Sequence, residues 1–296
     1  MGSANSASSV ATRIESLVRL DAHQHFWRFT PADYPWMSAE MQVLKRDWLP
    51  EDLRPLLEEQ RIDACIAVQA RASEAETDFL LMLASQYPWI AAVVGWIDLR
   101  ADDIGQRLAR WLEAPALAGF RHQIQDEADV AAYADDARVR RGMRLIQREQ
   151  LAYDVLVFSH QIDAVTSLCR DCDQYWLVLD HLGKPRIHAH DHERWRRAVA
   201  PLAAMPHVMC KISGLVTEAM DAAGEVHLDE LRRHLDTALE LFGPQRLMFG
   251  SDWPVCLLAT SYARAAAIVE SWSAKLTRDE REWLWYRSAQ RAYSLA

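Results

Sequence analysis

The chain has 296 residues, 50% hydrophobic and 25% charged, with a formal net charge of −9. This is the composition of a soluble globular protein with ample material for a core, and it excludes a disordered chain. The acidic balance, with a pI near 5.7, argues against nucleic acid or an anionic membrane surface as partner.

Residues 1–18 are rich in Ser and Ala, lack the apolar core of a signal peptide, and are expected to form a disordered arm ahead of a single domain over residues 19–296. The first strand is expected at Arg19–His25, within the stretch Asp21-Ala22-His23-Gln24-His25-Phe26-Trp27. Because i and i+2 share one face of a strand, His23 and His25 should project together. A Pro- and aromatic-rich loop from Trp27 to Trp48 follows, long enough to cover one end of the molecule. Further strands are expected at Ala64–Gln69, Ala91–Asp98, Gly119–His122, Tyr153–Phe158, Trp176–His181, Val208–Ser213 and Arg246–Ser251. Helical spacing fills the intervals at Thr77–Tyr87, Ala101–Glu113, Asp136–Gln150, Gln161–Gln174, His192–Ala204, Asp229–Phe242, Ser261–Ser273 and Leu276–Tyr293.

Strand and helix alternate with a repeat of about 30 residues, the pattern of parallel strands with crossover helices. Eight such units in a chain of this length predict an α/β fold of the closed (β/α)8 TIM-barrel type. No glycine-rich phosphate loop follows the first strand, which counts against a dinucleotide-binding sheet. Cys65, Cys210 and Cys256 sit in apolar runs, and the Cys169-x-x-Cys172 pair lies in a helical stretch without a second pair. Reduced thiols in a cytoplasmic protein are therefore expected. No apolar run reaches the roughly 18 residues of a membrane span.

In such a barrel the C-terminal strand ends converge on one cavity. There the strands offer His23 and His25, then Gln69 and Arg71, Trp96 and Asp98, Arg121, His122 and Gln123, Asp154, His181, Lys211 and Ser213, and Asp252. Neutral imidazoles suit zinc, and a carboxylate beside them can take a proton from water and return it to a leaving oxygen. Arg121 or Lys211 could stabilise an oxyanion, and Trp27, Trp36 and Trp253 could pack on the apolar face of a sugar. Packing accounts for some of these residues taken singly: Asp252 as a helix cap, His181 as a core histidine, Arg121 as a surface ion-pair partner. His188, His190 and His192 lie beyond Pro185 in a polar stretch and read as a solvated loop.

Three motifs together, D-A-H-Q-H-F-W at the first strand, L-D-H-L-G-K-P at the sixth and F-G-S-D-W-P at the eighth, resemble the amidohydrolase superfamily. More narrowly they resemble its lactonase branch of L-fuconolactonases and related sugar-lactone hydrolases, akin to the 2-pyrone-4,6-dicarboxylate lactonases. The likeness runs from about Arg19 to Tyr293. It implies hydrolysis of a small-molecule lactone, with L-fuconolactone or a close aldonolactone first, and an aromatic-derived dicarboxylate lactone or metal-dependent decarboxylation as alternatives. Carried over by position, Asp252 is the implied general base, with His23, His25 and His181 beside it as catalytic groups and, together with Asp252, as ligands of a single zinc. Trp27, Gln69, Arg121, His122, Asp154, Lys211 and Trp253 would bind substrate. No lysine stands where a carbamylated bridging ligand would be, so a binuclear centre is not expected, and the branch also includes enzymes that work without metal. No apolar face in the sequence marks a homo-oligomer contact, so self-association stays open.

Overall fold

The computed structural model describes residues 17–189 and 191–295; the expected N-terminal arm lies almost wholly outside them. Eight parallel strands form one sheet in sequence order. They are β1 (Leu20–Gln24), β2 (Ala64–Val68), β3 (Ile90–Gly95), β4 (Leu117–His122), β5 (Ala152–Val155), β6 (Leu177–Leu179), β7 (Val208–Ile212) and β8 (Leu247–Phe249). Each pairs in parallel with the next. The result is the expected (β/α)8 barrel. Most strands stop one to three residues earlier than their apolar runs suggest, so His25, Gln69, His181 and Asp252 lie just past the strand ends.

The helices are α1 (Pro50–Glu59), α2 (Glu74–Gln86), α3 (Ile104–Ala109), α4 (Val130–Asp135), α5 (Ala137–Arg148), α6 (Ile162–Asp171), α7 (His192–Ala203), α8 (Leu215–Ala219), α9 (Leu228–Phe242), α10 (Tyr262–Ser273), α11 (Arg278–Glu282) and α12 (Ser288–Tyr293). Their cause is local. On α5, Val139, Met143 and Ile146 bury one face at helical spacing while its arginines stay outside. Ser73 caps α2 through the Ala75 N–H. Helix α1 was not expected from the sequence; Pro50 opens it at a position that has no N–H to lose, and the Asp52 carboxylate accepts from the Leu49 N–H at 3.0 Å.

Two apolar cores result. The larger lies between sheet and helices. The smaller fills the barrel and includes Leu20, Ala22, Ile66, Val68, Val94, Val178, Met209 and Met248, with Ala289, Ala292 and Tyr293 of α12 closing the N-terminal mouth. Among the described residues, no helix is long and apolar enough to cross a membrane. All five cysteines are buried free thiols.

The seam between the first and last strands is not an ordinary ladder. It closes through the Gln24–Trp253 bridge, with His25 N donating to Trp253 O at 2.7 Å and Asp252 N to His23 O at 2.8 Å. The Asp21 side chain completes it: Oδ1 accepts from Ser251 N at 2.8 Å and His23 N at 3.2 Å, and Oδ2 from the Tyr262 hydroxyl at 3.1 Å. A fully buried carboxylate is tolerated here because each oxygen has a donor. Asp21→Ala orphans those donors and should cost about 2–4 kcal/mol in urea unfolding, whereas Asp21→Asn, which keeps an acceptor for Ser251, should cost less than half as much.

Candidate active site

Beyond the C-terminal strand ends lies a cavity of about 370 Å³. His25, His181, Asp252 and Arg121 form its floor. Gln123, Gln125, Asp126, Phe158, Lys184, Thr217 and Glu218 stand around it, and Trp36 of the covering loop closes one side. That loop is pinned at its base by reciprocal Trp27–Trp48 backbone bonds, and the Trp36 indole N–H donates to Ala70 O at 3.0 Å. Glu76 holds it from below, accepting from the Tyr34 hydroxyl, the Ala70 and Arg71 backbone N–H groups and the Arg71 guanidinium.

His23 and His25 do project together, with ring centroids 4.9 Å apart and His181 4.6 Å from His23. Simple alternation is not the reason. Ala22 already belongs to the inner core, and the register shift between Asp21 and Gln24 brings His23 inward as well. His25 Nδ1 donates to Val68 O at 2.8 Å, which leaves the Nε2 lone pair facing Asp252 Oδ1 at 3.2 Å. His181 Nδ1 lies 2.9 Å from Ser213 Oγ, so its Nε2 is the free nitrogen. Burial pushes the His181 imidazole down to about 4 against the pull of Asp252, so it is neutral at physiological pH. For Asp252, burial works to raise the carboxyl, but the surrounding imidazoles, His181 foremost, hold it well below the usual carboxylate range.

Beneath this floor lies a dry layer of charge. Arg121 donates to Asp180 Oδ2 at 2.9 Å and to Gln69 Oε1 at 3.1 Å, and its Nη1 is 3.2 Å from His23 Nε2. Lys211 Nζ is 2.5 Å from Asp154 Oδ2, 3.2 Å from Asp180 Oδ1 and 3.1 Å from His23 Nδ1. Two cations thus balance two carboxylates, all buried. Burial first, and then the Lys211 charge, hold the His23 imidazole neutral; it can accept from only one of the two cations, and Asp180 Oδ1 stands 3.3 Å from Nδ1.

The left-handed backbone of the site is concentrated in two places. His181, Leu182, Gly183 and Lys184 all have positive φ, as does Asp252 at +58°. Each non-glycine residue so held costs about 1–3 kcal/mol, and such outliers gather where function demands them.

Several sequence expectations need correction. Trp27 and Trp253 are fully buried and do not line the cavity: Trp27 bonds to Leu44 O and Arg46 O, and Trp253 packs on Phe26 and Trp48. Trp36, the third tryptophan expected beside the cavity, does line it. Asp154 and Lys211 lie one layer too deep to touch a ligand, because each spends its charge on the other. Gln69 is also buried, bracing Arg121 and, at 2.9 Å, Gln123. His122 points out of the barrel, between Trp96 Nε1 and Glu127 and stacked on Tyr133. Arg71 serves the covering loop through Asp33 and Glu76. His192 is not in a solvated loop but buried against Thr237, while His190 lies outside the described residues. Missed altogether were Asp180, which joins Arg121, Lys211 and His23, and the wall residues Lys184 and Glu218. Asp180 follows inward-facing Val178 by two residues, and that parity would have found it.

Whether a metal suits this floor follows from the donor atoms. His23, His181 and Asp252 each offer one within 4.8 Å of the others. His25 Nε2 and Asp252 Oδ1 are two acceptors face to face, an arrangement that a proton or a cation between them relieves. The backing of His25 by a carbonyl and of His181 by a hydroxyl is the outer-shell support that metal-bound imidazoles receive. The set fits one ion, which would take the single His23 Nε2 lone pair in place of Arg121. A second grouping, His23, Asp154 and Asp180, has equally close donors, but the Lys211 ammonium already sits among them and supplies the positive charge.

The amidohydrolase family model matches residues 20–295. An L-fucono-1,5-lactonase of Burkholderia multivorans is 53% identical over 286 residues, covering 94% of this chain and 96% of that protein. An L-fucono-1,5-lactonase of Burkholderia ambifaria is 37% identical over 243 residues, covering 81% and 82%. A crystal structure of an amidohydrolase from Burkholderia multivorans with bound zinc superposes with a TM-score of 0.92 at 53% identity, over 94% of this chain and 100% of that one.

Gly214 gives the sharpest test of the floor geometry. It has φ +63°, and a Cβ there would stand 2.7 Å from His181 Nδ1 and 3.0 Å from Asp252 Oδ2. Gly214→Ala should destabilise the fold by about 1–3 kcal/mol and displace both groups, seen as perturbed His181 imidazole resonances by NMR.

Proposed function

Since the chain belongs to the amidohydrolase family, we propose that it is a lactonase that hydrolyses a sugar lactone to the hydroxy acid, with L-fuconolactone as the first candidate. The observation that carries this is the Asp252 carboxylate, held low by the imidazoles of His181, His25 and His23, under a cavity of hexose size walled by hydroxyl-binding groups. It is supported by the two Burkholderia relatives named for that activity.

The chemistry follows from the layout. The lactone lies with its apolar face toward Trp36 and its hydroxyls among Gln123, Asp126, Lys184 and Glu218. Water attacks the carbonyl carbon and Asp252 takes its proton. Arg121, and the His181 Nε2–H when its Nδ1 accepts from Ser213, face the oxygen on which negative charge develops. As the tetrahedral intermediate collapses, the ring C–O bond breaks and Asp252 returns the proton to the departing ring oxygen. At neutral pH the new acid ionises, so each turnover releases one proton to the medium. Asp252 is a weak base for this work, since the imidazoles hold its pKa low. A zinc ion held by His23, His25, His181 and Asp252 would lower the pKa of water and polarise the carbonyl, which is the help such a base needs.

A dicarboxylate lactone suits the cavity less well. Its one lining arginine, Arg121, is already committed to Asp180 and Gln69, and Arg71 is turned away to Asp33 and Glu76.

A pH-indicator assay against L-fucono-, L-galactono- and D-arabinonolactone should show acid release selective for hydroxyl configuration. Asp252→Asn should lower kcat/KM by about 10³-fold, and no acid from any sugar lactone would overturn the assignment. Elemental analysis of zinc-loaded protein should give one equivalent per chain, reduced in His181→Ala; two equivalents would contradict a mononuclear site.

A further inference from the structure

Below the charged layer, one contact links the active site to the far end of the barrel. Tyr293 belongs to α12, which closes the N-terminal mouth, and it is buried with Ala289 and Ala292 against the inner core. Its hydroxyl does not turn back toward solvent. It reaches up the barrel axis and donates to Asp154 Oδ1 at 2.8 Å. The other oxygen of that carboxylate holds Lys211 Nζ, and Lys211 in turn stands against Asp180 and His23. The Tyr293 ring also lies under the ammonium, 5.4 Å from Nζ.

We propose that Tyr293 is a positioning residue for lactone hydrolysis: its hydroxyl, entering from the opposite mouth of the barrel, fixes the Asp154 carboxylate and through Lys211 the orientation of His23.

Three features argue for this over a simple plug. A plug needs an apolar side chain, and phenylalanine would fill the same volume; the hydroxyl is justified only by its acceptor. Asp154 has no other donor near Oδ1 among its hydrogen bonds, so loss of the phenol leaves a buried carboxylate oxygen bare. Finally, Lys211 cannot satisfy all its neighbours equally. Asp180 Oδ1 lies at ion-pair distance from both Lys211 and His23 yet has no well-formed hydrogen bond. The ammonium is therefore balanced between Asp154 on one side and Asp180 with His23 on the other. Freeing Asp154 to rotate shifts that balance, and His23 moves with it. Tyr293 touches neither cavity nor substrate, so its effect should fall on the chemical step and spare ligand affinity.

The inference rests on the lactonase reading for its kinetic arm and is independent of it in its structural arm. Tyr293→Phe removes one oxygen and keeps the ring. With L-fuconolactone, kcat is expected to fall about tenfold while KM stays within twofold and the thermal midpoint within a few degrees. In an Asp154→Asn background the same change should add less than twofold, because the acceptor is already altered. Without substrate, long-range 1H–15N spectra should show the His23 nitrogens displaced in Tyr293→Phe, and those of surface-side His188 and His207 unmoved. Unchanged kcat together with unchanged His23 resonances would overturn the proposal and leave Tyr293 as a plug. A fall in thermal midpoint with kcat and KM preserved would do the same. If the wild-type protein hydrolyses no lactone, the functional reading fails, and the His23 resonances alone decide whether the hydroxyl positions the site.

Discussion

The structure depends on how the last strand is joined to the first. A barrel closed by a full ladder would leave its strand ends free to vary. Here the closing bonds join the residues of the cavity floor and their neighbours: the Asp252 N–H donates to His23 O, and the His25 N–H to Trp253 O. Asp21 sits behind them as a side-chain rivet between Ser251 and Tyr262. Closing the barrel and assembling the floor are therefore one event, and a substitution that loosens the seam loosens the geometry of His23, His25 and Asp252 with it.

Charge neutrality is the second organising element. Asp154 and Asp180 face Arg121 and Lys211 with no water-exposed oxygen among them. Such a layer contributes little net stability, since desolvation offsets most of the attraction. Its value lies in fixing the electrostatic state of what sits above. Burial holds the His23 imidazole neutral, and the imidazoles beside Asp252, His181 foremost, hold its carboxyl low against burial. The ammonium that balances the carboxylates also lies among the donors of the second grouping, His23, Asp154 and Asp180. The strained left-handed run at His181–Lys184 belongs to the same design, bringing His181 and Lys184 to the cavity from a strand only three residues long.

Much of this was legible in the sequence because buried parallel strands write themselves as short apolar runs, and polar residues at their ends have no packing reason to be there. Hence all eight strands and the quartet His23, His25, His181 and Asp252 could be located. What failed was depth and direction. Lys211 and Asp154 are inward-facing, as read, but nothing in one dimension says that they neutralise each other a layer below the cavity. Trp253 directly follows Asp252 and so points the other way, into the shell, while Trp27, two residues past His25, is held under the covering loop by Leu44 O and Arg46 O. His23 was placed correctly by alternation for the wrong reason, since a bulge reset the parity. Asp21 and Asp180 were passed over although a carboxylate inside an apolar run must find donors if it is buried.

The seam also has a temporal meaning. Its partners, residues 21–25 and 251–253, and the α12 helix that closes the far mouth, come from opposite ends of the barrel sequence. On a ribosome adding about 5–20 residues per second, some 270 residues separate synthesis of His25 from that of Tyr293, roughly 15–50 s. Until residues 251–253 are made, the first strand has no seam partner and the floor lacks Asp252. Catalytic competence can then appear only in a final, nonlocal step, which topology makes slow. One edge of β1 therefore waits for its partner through most of synthesis.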